Sequence, residues 1–253
     1  MDGFDLSAGQ SWKPLAWLGF KHSFFTIDGH IVLQTWIILL ILLGTLLICR
    51  YFLNNKRSVG YFLTTIFVRS FKDLTEQTIG KFPFNHFAFI TALFIFILIC
   101  NSAAALPWLD EPTRDINTTL ALGIISFIYT QFWAIRTQGL LAYIGSYFAP
   151  LPPYVPLLLP LNLIGKLSNI ISISFRLFGN IFGGFMIGSM YERVIAGSVL
   201  WETVGLISGL NFVILFFFGL FEGFLQAFVF AMLSLTYLSI ALQSDDSTTK
   251  DTR

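Results

Sequence analysis

Charge is what this sequence has least of. Lys, Arg, Asp and Glu make up only 11% of its 253 residues, too little for the water-facing surface of a soluble domain of this length. The net charge is +1, so no basic face for nucleic acid is indicated. There are two cysteines, Cys49 and Cys100, and both lie inside apolar runs. They read as small hydrophobes rather than a disulfide pair or metal ligands. The three histidines, His22, His30 and His86, have no ligand spacing, so no metal or cofactor is expected. The N-terminus has acidic residues where a cleavable signal would be basic, and its apolar run is short.

What is present is hydrophobic. Apolar residues reach 55% of the chain, and the mean hydropathy is +0.75. These values predict an all-α polytopic membrane protein with about five spans and one amphipathic surface helix. The first span is expected over 31–50, with no charge between Ile31 and Cys49. Residues 54–81 mix Phe62, Ile66, Phe71 and Ile79 with Lys56, Arg57, Arg69, Lys72, Asp73 and Glu76. That pattern fits a helix lying on a membrane face, or alternatively a soluble helical loop. A hairpin of two spans follows, over 84–107 and 118–136, around a polar turn carrying Asp110, Glu111, Arg114 and Asp115.

The stretch from Thr137 to Pro160 is rich in Pro and Gly and reads as a loop. Two long apolar segments come next, over 160–190 and 203–243, joined by YERVIAGSVLWE. Both exceed the length of a perpendicular span, so they are expected to tilt strongly, kink or divide. Residues 244–253 read as a polar, unstructured tail. Residues 1–30 and 31–243 are read as an N-terminal segment and a single membrane domain. The loop charges set the orientation. Arg50, Lys56, Arg57, Arg69, Lys72 and Lys81 follow the first span, whereas the hairpin turn holds only Arg114. The N-terminus is therefore expected outside and the C-terminus inside.

Three intramembrane features stand out. Arg176 sits in the apolar passage SISFRLFGNIFGG, where an arginine costs at least about 2.5–3.5 kcal/mol to insert. It holds its proton in almost any setting, so it supplies a fixed charge and not a relay. Ser172, Arg176 and Asn180 recur every four residues and form one polar stripe. Gly179 with Gly183, and Gly184 with Gly188, are small-residue pairs of the kind that admit another backbone. The stripe suggests a face packed against a second membrane protein; snorkelling of Arg176 with internal glycine packing is the other possibility. Glu222 is the one charge between Thr203 and Gln243, four residues before Gln226, with Leu233 and Tyr237 roughly continuing its face. It is either a proton-accepting site or the ion-pair partner of Arg176 or Lys166. Glu192 and Glu202 fall in the connection and are less specific.

The decapeptide from Ser172 to Ile181 resembles the signature of subunit a of F-type ATP synthases: small, any, small, apolar, Arg, Leu, any, small, Asn, apolar. LPWLDEPTRDINTTLAL resembles the family's segment before the third span. The proline-rich run into LPLNLI resembles its entry to the signature helix. FLQAFVFAMLSLTYLSIA resembles its final helix, and the likeness covers roughly residues 20–243. The resemblance implies a non-catalytic stator subunit in an energy-coupling membrane, partnered by the c-ring and the peripheral-stalk b subunits. Its two tilted helices would face the ring, and two half-channels would carry an ion, taken to be a proton, to and from the ring carboxylates. Arg176 matches the family's essential arginine, Gln226 the polar residue facing it, and Asn180 and Ser172 the polar lining. The chain departs from the family pattern at Phe185 and Gly219, where relatives often carry acids or a histidine, and at Asn162. Glu222 is the proposed substitute for the outer half-channel acid. A stand-alone secondary transporter that binds an anion at Arg176 is the alternative, although no internal repeat of the kind such transporters show is found. A non-transporting assembly subunit of a respiratory complex is a third.

Overall fold

The computed structural model of the chain describes residues 11–12, 27–54, 58–80, 82–103, 109, 111–146, 158–195 and 209–248. The helices are α1 (Gly29–Asn54), α2 (Val59–Ile79), α3 (Phe84–Ser102), α4 (Ile116–Gln138), α5 (Leu140–Ser146), α6 (Leu158–Ile195) and α7 (Leu210–Ile214). A π-helical segment, Leu215–Phe221, joins α7 to α8 (Glu222–Thr248). A short 3-10 turn, Pro112–Arg114, lies between α3 and α4. Ser11–Trp12 and Ile27–Asp28 pair as a two-residue antiparallel ladder.

Among the described residues, five helices are long and apolar enough to cross a bilayer: Ile31–Asn54, Phe84–Ser102, Ile116–Gln138, Pro160–Ile195 and Phe212–Leu242. Helix satisfies every backbone group internally, which the hydrocarbon core demands. The fold is all-α and polytopic, as the composition predicts.

Local chemistry sets the boundaries. Ser58 caps α2 by accepting from the Gly60 amide at 3.2 Å, and Gly80 ends it in the left-handed region at φ 80°. Asp115 caps α4 through the Asn117 amide at 3.2 Å. Pro160 is tolerated because it falls in the first turn of α6, where its missing N–H breaks no intrahelical bond. Three elements run differently from the sequence expectation. Leu140–Ser146 is helical rather than loop, because the prolines begin only at Pro150. α6 continues through Tyr191–Ile195, so Glu192 lies on its exposed last turns and not in a connection. α8 continues to Thr248, since extending a formed helix is far easier than starting one. The proline run 147–157, the connection 196–208 with Glu202, and residues 249–253 lie outside the described residues, as does most of the N-terminal segment.

The core forms where α3, α6 and α8 meet. Ile90, Leu93, Phe94 and Ile97 of α3, Ala227, Phe230, Ala231 and Leu235 of α8, and Ile173, Leu177 and Ile181 of α6 form one buried cluster, with α8 packed against both other helices. Each set repeats at three- or four-residue spacing, so one stripe of each helix is buried. Leu33, Leu40, Leu43 and Leu47 of α1 are exposed, as suits a helix whose outer side meets lipid. Lipid removes the hydrophobic drive between helices, leaving close packing and interhelical hydrogen bonds. Both are present. The Ser126 hydroxyl donates to Ser234 Oγ at 2.8 Å, tying α4 to α8, and the Ser239 hydroxyl donates to the Thr78 carbonyl at 2.7 Å, tying α8 to α2. Gly123 lets α4 reach α6: a Cβ there would collide with Ser174 Oγ.

Candidate functional site

α6 and α8 run antiparallel, and their polar residues meet in rungs. The Asn180 amide donates to Gln226 Oε1 at 2.8 Å. One turn further on, Gly184 faces Glu222: a Cβ on Gly184 would lie 3.7 Å from Glu222 Oε2. Continuing the register the other way sets Arg176 level with Phe230, an apolar residue. Gln226 is therefore engaged by Asn180 and not by Arg176.

Arg176 is exposed and makes no hydrogen bond or ion pair with any described residue. Ser172 and Asn180 on the same stripe are exposed too. The glycines divide in a way that spacing alone could not show. A Cβ at Gly179, Gly183 or Gly188 would meet nothing within 4 Å, whereas Gly184 is packed against Phe218. The first three therefore pack against none of the described residues. Glu222 is half-buried, and its Oε2 is buried without a hydrogen-bond partner. The ion pair of Glu222 with Arg176 or Lys166 is not formed.

Two further regions flank Arg176 along α6. Toward the hairpin turn lies the Glu222 end. There the Thr113 hydroxyl donates to Asn101 Oδ1 at 2.8 Å, and Asn101 Nδ2 donates to the Gly223 carbonyl at 2.9 Å. The Arg114 guanidinium lies over the Phe185 ring, 4.1 Å from its centroid. Toward the opposite end lies a cavity of about 300 Å³ between α4, α5, α6 and α8. Its polar lining includes Gln131, Gln138, Tyr143, Lys166, Asn169 and Tyr237, and Ile170 and Ile173 line it from the apolar side. Lys166 Nζ sits 4.7 Å from the Tyr143 ring centroid. Lys166 is roughly 15 Å along α6 from Arg176 in one direction, and Gly184 roughly 12 Å in the other, at about 1.5 Å per residue.

Of the sequence-predicted residues, Asn180 and Gln226 are brought together, with Glu222 one turn away. Ser172 and Arg176 share the uncovered face. Tyr237 lines the cavity, Glu192 stands apart on the last turns of α6, and Glu202 is outside the described residues. Asn101, Thr113 and Asn169 were missed. For Asn101 and Asn169 the available signal was an amide within an apolar span, which calls for a partner in lipid; Thr113 lay inside the segment LPWLDEPTRDINTTLAL without being singled out.

Fold and site together define an integral membrane protein of the all-α polytopic class, with a fixed cation and a carboxyl on its two longest helices. The family described as ATP synthase A chain matches residues 32–239. "ATP synthase subunit a" of Moorella thermoacetica is 33% identical over 208 residues, 82% of this chain and 88% of the relative. The protein of the same name from Syntrophobacter fumaroxidans is 31% identical over 219 residues, 87% of this chain and 86% of the relative. That of Nitrosospira multiformis is 29% identical over 224 residues, 87% of this chain and 82% of the relative. The chain belongs to the family of F-type ATP synthase subunit a.

Proposed function

We propose that this chain is the ion-translocating stator subunit of a rotary F-type ATP synthase. It takes no part in the chemistry of ATP and instead couples ion flow, taken to be of protons, to rotation of a c-ring. The observation that carries this reading is the uncovered face of α6. Arg176, Ser172 and Asn180 stand there with Gly179 and Gly183, and no described residue packs on those two glycines. An exposed cation at the middle of an apolar helix, on a thinned surface, suits a moving partner that brings a carboxylate to it.

The mechanism follows from charge. An arginine stays protonated, so its potential favours the ionised form of a carboxyl that approaches it. At about 4 Å and an effective dielectric of 20, the attraction is about 4 kcal/mol. A ring carboxyl nearing Arg176 thus releases its proton, and regains one on leaving. The same fixed charge bars a direct leak of cations past it. Access from the two sides must then reach the ring at different heights. The cavity beside Asn169, Lys166 and Tyr237 supports one half-channel, and the Glu222 end supports the other. Arg176 lies between them along α6. The Lys and Arg bias assigns the cavity to the ATP-synthesising side and Glu222 to the outer side. Each elementary charge crossing is driven by about 2.3 kcal/mol per 100 mV. The outer sides of the other spans are left for lipid and for the b subunits of the peripheral stalk.

Copurification tests the assembly. Tagged chain, extracted mildly from its membrane, is expected to bring a ring of small helical-hairpin subunits with a buried carboxyl. Recovery of a lone, transport-competent chain would instead support a secondary transporter.

A further inference from the structure

The Glu222 end holds a buried polar assembly that the translocation scheme does not use. Asn101 and Thr113 are both fully buried, and each spends its side-chain polarity on the other or on Gly223. Gly223 is no ordinary neighbour. A Cβ there would lie 2.9 Å from the Asn101 Cβ, so α8 presses against α3 at this turn through a residue with no side chain. Glu222 itself begins α8 where the π-helical segment ends, and its amide bonds back to the Phe217 carbonyl, a five-residue step. Such wide turns are rare and are found often at functional sites, because they change the phase of the residues that follow. A helix re-phased in this way needs an external anchor to hold its rotation.

Asn101 supplies that anchor. Successive residues point about 100° apart around a helix, so clamping Gly223 onto α3 turns Glu222 toward α6, where Gly184 leaves room for it. The Thr113 hydroxyl completes the device. By donating to Asn101 Oδ1, it leaves Nδ2 as the group that faces the Gly223 carbonyl. The reversed amide would set one carbonyl oxygen against another. Thr113 also belongs to the 3-10 turn whose next residue, Arg114, covers Phe185 beside Gly184. One turn thus contacts both Asn101, which holds Gly223, and Phe185, which adjoins Gly184 in the chain.

We propose that Asn101 and Thr113 are positioning residues of the outer ion-access site, fixing the rotation of α8 so that Glu222 faces α6 at Gly184. The proposal rests on Glu222 serving as the outer access group. It acts through geometry: loosening the clamp lets the carboxyl swing between the α6 face and the α3 side, and changes how readily it exchanges a proton with the outside.

The test uses membrane vesicles carrying the assembled membrane sector, with the catalytic sector stripped off. Passive proton flux under a potassium diffusion potential is recorded against the pH of the outer side. Glu222→Gln is expected to slow the flux and flatten its pH profile. Thr113→Val keeps the shape but loses the hydroxyl. It is expected to lower the flux about three- to twentyfold, the equivalent of one intramembrane hydrogen bond, and to shift the midpoint of the profile. Thr113→Ser should restore both. In the Glu222→Gln background, Thr113→Val should have no further effect, because it acts only through the carboxyl. Asn101→Leu, which removes both bonds, should behave as Thr113→Val does, or more severely. Independent, multiplying effects of Thr113→Val and Glu222→Gln would overturn the positioning role while leaving the access role intact. Wild-type flux and pH profile in Glu222→Gln would overturn the access role, and the positioning proposal with it.

Discussion

A leucine at Gly179 or Gly183 should leave the chain folded and yet disable it. A Cβ at either position meets no atom of the described residues within 4 Å, so the side chain enters space that they leave open. Replacing a helical glycine also removes a conformational cost of up to about 1 kcal/mol on peptide scales. For the chain alone, the expected change in stability is therefore neutral or slightly favourable. The cost appears only with a partner on that face. Forcing extra methylenes into a packed contact costs about 1–3 kcal/mol, which weakens the contact about 5- to 150-fold. Gly223→Ala is the contrast. Its single added carbon would lie 2.9 Å from the Asn101 Cβ, so the damage falls inside the chain. The assay is paired: thermal stability of the purified chain, and ring retained per chain after mild extraction. Gly179→Leu and Gly183→Leu should keep the first and lose the second, whereas Gly223→Ala should lose the first. Full ring retention and full pumping in both leucine variants would refute the claim that this face meets the ring.

Other consequences are open to measurement. Gly123→Ala puts a carbon against the Ser174 hydroxyl and should separate α4 from α6, lowering the thermal midpoint of the chain; an unchanged midpoint would mean the helices are not held that closely. A double-mutant cycle of Ser126→Ala and Ser234→Ala should give a coupling of about 0.6 kcal/mol, the usual size for an interhelical hydrogen bond in lipid, and strict additivity would deny the bond. Ala134→Phe partly fills the cavity that Ala134 lines, and should slow ion exchange from the ATP-synthesising side without loss of the ring. Wild-type exchange in that variant would remove the cavity from the path.

The span pattern was legible because lipid imposes it: a run of apolar residues without charge has little choice but helix. Arg176 was legible for the complementary reason, since a charge in such a run is costly. Which of the glycines pack within the chain was not legible. Gly179, Gly183, Gly184 and Gly188 look alike in sequence, yet one packs within the chain and a Cβ on the other three would meet no described residue. Residues far apart in sequence had to be brought together to tell them apart. The π-helical turn before Glu222 left no mark in LFFFGLF, where every residue but one is a large hydrophobe. Asn101 was passed over because its partners, Thr113 and Gly223, lie on separate elements. The helical stretch Leu140–Ser146 was hidden by prolines that follow it rather than lie within it.

The central claim is that Arg176 is a fixed charge that serves a moving partner. ATP-driven ion pumping by membrane vesicles carrying the Arg176→Ala complex tests it most directly, once the ring and the catalytic sector are shown to be present in normal amounts. The account predicts an assembled complex that does not pump. Pumping at the wild-type rate in that complex would contradict it.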